Sequence, residues 1–180
     1  MDLQKNIDEL LEPAQKKDVV AVGRLFDFLV EPVFRFVFFR VKNRENAEDL
    51  TNEILLKIFE NLPKFEKQKN VPFLAWVFRI AKNKITDFWR TRREIFEIDE
   101  NKIDKDSTEN LQRETENFFD RRRLKIALQK LPENQREAVS LKFFAQLQTA
   151  EIAATMRKSP TAVRVLLSRG LKKLKIILAE

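Results

Sequence analysis

"FLAWVFRIAKNKITDFWRTRR", residues 73–93, holds apolar side chains at helical spacing and then ends in a cluster of arginines around a tryptophan. On a wheel of about 100° per residue, Phe73, Leu74, Trp76, Val77, Ile80, Ala81, Ile85 and Phe88 share one half. That half is the expected core face. Opposite it, an arc of about 120° gathers Arg79, Lys82, Asn83, Thr86, Trp89, Arg90 and Arg93 without a carboxylate. Cations of this kind neutralise phosphates, Asn and Thr hydrogen-bond base edges, and an exposed Trp offers a stacking platform of ~1–3 kcal/mol per base. A surface helix kept soluble by its Arg and Lys, with Trp89 packed under a loop, is the alternative.

Composition sets the frame around this segment. The 180 residues are 43% hydrophobic, enough for one medium domain or two small ones. There is no Cys and no His, and only two glycines, Gly23 and Gly170. Soft and imidazole metal ligands, thiol nucleophiles, disulfides and the commonest general base are therefore missing, and no glycine loop can cradle a phosphate. The expectation is a protein that is not an enzyme and uses neither cofactor nor metal. The most apolar run, "VFRFVFF", is short and carries Arg35, so a cytoplasmic protein with no membrane insertion is expected.

Net charge is +7, but it is unevenly spread. Residues 94–120 hold ten acids against three bases, a net −7, so the rest of the chain carries +14. Periodicity near 3.6 residues and scarce glycine point to an all-α chain of two small helical domains joined by a flexible acidic linker. Helices are expected near 17–30, 32–42, 46–61 and 72–93, then 119–130, 133–145, 149–156 and 160–178. Pro32, Pro63, Pro72, Pro132 and Pro160 are read as boundary residues. This places domains at 1–93 and 119–180 with the linker at 94–118.

Three further stretches bear on function. "PKFEKQKN", residues 63–70, is a lysine-rich loop containing Phe65, able to form a pocket for an unstacked base or simply to turn at the surface. In the preceding helix Ala47, Leu50, Ile54, Leu55, Ile58, Phe59 and Leu62 form a buried stripe. Asp49, Asn52, Glu53, Leu56 and Glu60 share the outer face. Acids around an exposed leucine suit docking on a basic protein surface, although Asp49 and Glu53 pairing with Lys57 or other helical neighbours explains them equally well. Finally, "QTAEIAATMRKSPTAVRVLLSRGLKKLKIIL" has the layout of a helix-turn-helix. Thr149 is expected to cap its first helix; Ser159 as N-cap with Pro160 at the first position starts its second. Val163, Leu167, Leu171, Leu174 and Leu178 are the expected buried stripe of that second helix. Thr161, Arg164, Val165, Ser168, Lys172 and Lys175 lie opposite, with Arg169 at the edge, as major-groove reading requires. A purely structural helical hairpin is the alternative.

Taken together, "AEDLTNEILLKIFENLPKF" followed by "FLAWVFRIAKNKITDFWRTRR" resembles region 2 of the extracytoplasmic-function (ECF) sigma factors, a group of the sigma-70 family of bacterial RNA polymerase subunits. "ALQKLPENQREAVSLKFFAQLQTAEIAATMRKSPTAVRVLLSRGLKKL" resembles region 4. The resemblance implies a subunit that directs RNA polymerase core to promoters. Asp49, Asn52, Glu53 and Leu56 would grip the clamp helices of the largest polymerase subunit. Lys64, Phe65, Lys67, Lys69 and Asn70, with Arg79, Lys82, Asn83, Thr86, Trp89, Arg90 and Arg93, would engage the −10 element and capture a flipped base. Lys158, Thr161, Arg164, Val165, Ser168, Arg169 and Lys172 would read the −35 duplex, and the same domain would meet the flap of the second-largest subunit. An anti-sigma factor is a further partner implied.

The chain departs from the family pattern at several positions. Asn52 stands where Gln is usual, Arg157 where the turn usually has Gly, Ala162 where Thr is common and Gly170 where Ala is common. If position 157 keeps a left-handed backbone, the arginine costs roughly 1–2 kcal/mol there. Two promoter elements about two turns of DNA apart lie ~70 Å from each other. A linker of this length spans that distance only when held stretched, since its relaxed span is nearer ~30 Å. A dimeric helix-turn-helix regulator binding operator DNA, and an adaptor whose basic faces bind acidic proteins, are the other functions compatible with these residues.

Overall fold

The computed structural model describes the backbone of residues 3–41, 43–66, 71–98 and 117–179, and the side chains of 7–41, 43–66, 71–92 and 123–179. Among the described residues every regular element is helical: α1 (Leu3–Gln15), α2 (Val19–Phe38), α3 (Arg44–Asn61), a 3₁₀ turn (Leu62–Lys64), α4 (Phe73–Ile98), α5 (Asn117–Gln129), α6 (Glu133–Phe143), α7 (Thr149–Met156) and α8 (Pro160–Ala179). The chain divides into two compact units, Met1–Thr91 and Arg92–Glu180.

The first unit is built on α2. The Asp18 carboxylate accepts the Ala21 N–H at 2.7 Å and starts the helix. A break at Pro32 is expected from sequence, but α2 runs through it as one helix of 20 residues. Proline removes one backbone hydrogen bond and costs roughly 3 kcal/mol inside a helix. The stripe of Ala21, Leu25, Leu29, Val33, Phe36 and Val37 is buried without interruption. Each large member contributes about 1.5–3 kcal/mol of burial, which outweighs the lost bond.

α1 has no counterpart among the helices expected from sequence. Its Ile7, Leu11 and Ala14 are buried at i, i+4, i+7 spacing and pack on α2. The Gln15 side-chain amide donates to the carbonyls of Leu62 (3.1 Å) and Phe65 (2.6 Å), tying the end of α1 to the 3₁₀ turn.

α4 buries a wider arc than its pattern suggests. Phe73, Leu74, Val77, Ala81 and Ile85 are buried as expected, whereas Trp76, Ile80 and Phe88 are half-buried. Ala75 and Phe78, outside the expected core half, are fully buried. Phe78 meets Phe36 of α2 edge-on at 5.2 Å, and the Arg40 guanidinium lies 4.3 Å over the same Phe36 ring. α4 also continues to Ile98, past the expected end at 93, so the first residues assigned to the linker are helical; α5 likewise begins two residues early. Residues 99–116 lie outside the described residues.

The second unit packs α5, α6 and α7 against α8. Val163, Gly170 and Leu174 are the buried residues of α8, while Leu171 and Leu178, expected inside, are 42% and 37% exposed. The reason is Gly170. A methyl group there would lie 2.9 Å from Val139 Cγ2 and 3.4 Å from Gln135 Cβ. α6 thus crosses at the glycine, and the face turned inward is the one carrying position 170, about 100° from that of 171. Gly170→Val should destabilise the second unit by roughly 2 kcal/mol despite the better helix propensity of valine. Chemical denaturation would show it; an unchanged or raised midpoint would mean that the crossing has slack.

Burial also leaves a titratable mark in this unit. The half-buried Lys125 ammonium in α5 has its pKa pushed down to about 8 from 10.5 by desolvation. The folded state therefore binds fewer protons than the unfolded chain between those values, and this lysine makes stability rise as pH goes from about 8 to 10.5. Below that window the cost of the buried charge is fully present. Lys125→Met should stabilise the second unit at neutral pH. The gain should shrink toward pH 10, as read from paired denaturation curves.

Candidate polymerase and nucleic-acid interfaces

α3 presents an exposed ridge because its other side is fully occupied. Asn43 caps it, accepting the Asn46 N–H at 2.8 Å, and Ala47, Leu50, Thr51, Ile54, Leu55 and Ile58 are buried. The buried Thr51 hydroxyl donates to the Ala47 carbonyl at 2.6 Å. Asp49, Asn52, Glu53 and Leu56 consequently stand outward, and Leu56 is 64% exposed. Glu53 also receives Lys84 of α4 at 3.1 Å, a pairing between helices rather than the one with Lys57 that its sequence spacing allows. Lys57 instead pairs with Glu60 at 3.8 Å. Phe59, at the border of the ridge, contacts Phe26 of α2, their rings 6.2 Å apart. Phe26 is itself 41% exposed, an apolar extension of the ridge that lay beyond the α3 pattern read from sequence.

On α4, Asn83, Thr86 and Arg90 are exposed on successive turns, with Arg79 and Lys82 half-buried beside them. Two aromatic expectations are corrected. Phe65 does not stand in a loop pocket: it is 8% exposed and packs on Phe73 (5.2 Å) and Trp76 (5.0 Å). The 3₁₀ turn folds it back, with its N–H on the Leu62 carbonyl at 3.0 Å and its own carbonyl accepting from Gln15. Burying an aromatic ring is favoured over exposing it even among lysines. Trp89 is half-buried rather than exposed; its indole N–H donates to the Arg40 carbonyl at 3.2 Å and its ring stands edge-on to Phe88 at 5.4 Å. The arc is also less free of acid than the wheel implies, since Asp87 reaches Arg90 at 3.1 Å. The Thr86 hydroxyl donates to the Lys82 carbonyl at 3.0 Å, so only its lone pairs face outward for a ligand. Lys64 is exposed. Lys67, Lys69, Asn70 and the Arg93 side chain lie outside the described residues.

α7 and α8 form the helix-turn-helix. Gln148, not Thr149, is the N-cap of α7, and the buried Glu151 carboxylate accepts the Gln148 N–H at 2.6 Å. Glutamate at the third helical position satisfies that donor, leaving Thr149 as the first helical residue. The turn holds Arg157 at φ 54°, ψ 47°, a left-handed conformation, with its N–H on the Ala153 carbonyl. The shape normally supplied by glycine is thus kept, at a cost of roughly 1–2 kcal/mol. Ser159 then caps α8, its hydroxyl accepting the Ala162 N–H at 3.1 Å, with Pro160 as first helical residue. Val163 is wholly buried against this hairpin, so Lys158, Thr161, Arg164, Val165, Ser168, Arg169 and Lys172 are all exposed.

Residues 25–95 match the family Sigma-70 region 2, and residues 121–174 match Sigma-70, region 4. The chain is 30% identical over 178 residues to the ECF RNA polymerase sigma factor BldN of Streptomyces coelicolor, covering 96% of this chain and 66% of that relative. It is also 30% identical over 142 residues to the ECF RNA polymerase sigma factor EcfG of Rhodopseudomonas palustris, covering 76% of this chain and 73% of the relative. In fold it is similar to CnrH, solved in complex with the cytosolic domain of CnrY, with a TM-score of 0.69, 22% identity and 97% of each chain covered. Among the described residues no helix is long and apolar enough to cross a membrane.

Proposed function

Since this chain belongs to the ECF group of the sigma-70 family, we propose that it directs bacterial RNA polymerase core to promoters through three surfaces on its two units. The ridge of Asp49, Asn52, Glu53 and Leu56 docks on the clamp helices of the largest subunit. The α4 face of Arg79, Lys82, Asn83, Thr86 and Arg90 tracks the −10 strand, with the outward part of the Trp89 ring beside it. The α8 face from Thr161 to Lys172 reads the −35 duplex, and the second unit meets the flap of the second-largest subunit. Residues 1–93 and 119–180 act as the two readers, joined by the acidic stretch between them. Such a protein works in the cytoplasm as an initiation factor. Strand opening draws on the binding of unstacked bases rather than on nucleotide hydrolysis.

One observation supports this reading above the others: a strongly exposed leucine set among carboxylates on α3, in the same unit as a cationic α4. An operator-binding dimer joined through its first unit at this ridge would bring the Asp49 and Glu53 carboxylates of two copies together, a like-charge repulsion that docking on a basic polymerase surface avoids. The test is selection of promoters by holoenzyme reconstituted from core polymerase and this chain. A recovered two-element consensus with a fixed spacing supports the proposal, and a palindrome bound without core would overturn it. As the sigma factor RpoE has been solved in complex with the anti-sigma factor NepR from Bartonella quintana, an anti-sigma factor is proposed as a further partner of this chain.

A further inference from the structure

The turn that aims α8 keeps its left-handed backbone at a residue with a long cationic side chain. Arg157 and Lys158 both donate their N–H groups to the Ala153 carbonyl, the second at 2.9 Å, and the Ser159 cap follows at once. The position is therefore held from both sides, and the arginine adopts the conformation rather than reshaping the turn. Left-handed backbone alone does not mark a function in this chain: Lys17 and Gln146 also have positive φ, and neither glycine does.

What separates Arg157 is its electrostatic setting. Lys17 stands at a cleft lined by Asp8, Glu9, Glu12 and Asp18. Arg157 opens a stretch, residues 157–179, that contains no acidic residue at all. The side chains of Arg157, Lys158, Arg164, Arg169 and Lys172 are all exposed, and none has a hydrogen-bond or ion-pair partner among the described residues. On a helix an exposed cation can pair with a carboxylate three or four positions away, and residues 157–179 offer none. Here the field is left undiluted over the start of the helix read as the −35 reader, and Arg157 carries it one step ahead of the helix into the turn.

We propose that Arg157 is a phosphate anchor: it binds a backbone phosphate of the promoter duplex beside the −35 element and fixes the register in which α8 enters the groove. The contact rests on the −35 reading of α8 and adds to it a residue that the usual turn glycine cannot supply. Being a phosphate contact, it strengthens all −35 sequences alike and releases about one counterion.

The experiment uses holoenzyme reconstituted with wild-type chain, Arg157→Gly, Arg157→Asn, Arg157→Lys and Arg164→Ala, on a promoter duplex recovered by the selection above, with KCl varied from low to high. Gly and Asn both tolerate the left-handed backbone and both remove the charge. Each should make the negative slope of log K against log [salt] shallower by about 0.9, equivalent to about an eightfold loss at 0.1 M relative to 1 M. Arg157→Lys should keep the slope. Arg157→Gly should at the same time raise the unfolding temperature of the second unit, separating anchor from strain. Unchanged slopes for Gly and Asn, beside weakened binding by Arg164→Ala, would overturn the anchor and leave the −35 reading standing. A loss with Gly alone would assign the effect to turn shape and overturn it as well. If Arg164→Ala too has no effect, the −35 reading itself fails.

Discussion

Leu56→Lys should weaken the affinity of this chain for RNA polymerase core at least a hundredfold, roughly 3 kcal/mol, while leaving its folding unchanged. Leu56 exposes 64% of its surface, so it contributes little to the core of its own unit. Leucine and lysine have similar helix propensities, and exposed substitutions of this kind usually stay within about 0.5 kcal/mol of the parent in stability. On a docking surface the balance differs. A central apolar anchor ringed by polar groups is worth about 2 kcal/mol or more when truncated. A lysine adds to that loss the desolvation of its charge and repulsion from the basic surface that Asp49 and Glu53 are suited to meet. Titration of labelled core against both proteins, with thermal unfolding as the control, measures it. Equal affinities would reduce Leu56 to an ordinary surface leucine.

Phe78→Ala has the largest expected effect on stability. The ring is fully buried and stands edge-on to Phe36 at 5.2 Å, where α2 and α4 meet. Truncating a buried phenylalanine costs about 3–5 kcal/mol, a large share of the 5–15 kcal/mol that holds a typical domain. For a unit of this size the loss lowers the melting temperature by roughly 15 °C or more. Calorimetry should show the transition of the first unit shifting and that of the second staying in place. Promoter activity should fall with the first transition, because the ridge on α3 and the face of α4 both depend on that core. A shift of only a few degrees would mean that the helices close over the cavity.

These two residues also mark where sequence is legible. Local chemistry was readable: Ser159 followed by Pro160 starts α8, and the stripe from Ala47 to Leu62 orients α3, so Leu56 could be placed outward from spacing alone. Features decided by a second surface were not. Phe78 lies off the apolar half of α4 and is buried because Phe36 meets it from another helix. Gly170 reads as a weak helix residue until Val139 is placed beside it, and its crossing turns Leu171 outward. Phe65, among lysines, reads as a solvent-facing loop residue, yet it folds back onto Phe73 and Trp76. Pro32 reads as a helix boundary because proline is judged locally, while the continuous stripe that carries α2 past it spans 20 residues. α1 is hard to read because its buried residues among those described, Ile7, Leu11 and Ala14, lie in a polar stretch containing Pro13. For the candidate sites the exposed α8 face was readable from one helix. The tethering of Trp89 to Arg40 was not, since those residues are 49 positions apart.

The most direct test adds the purified chain to sigma-free RNA polymerase core and scores both association and transcripts from a randomised promoter library. The expected result is a stable complex whose transcripts begin at a fixed distance from a shared pair of sequence elements, with core alone giving none. Failure to associate with core even in dilute salt would contradict the account.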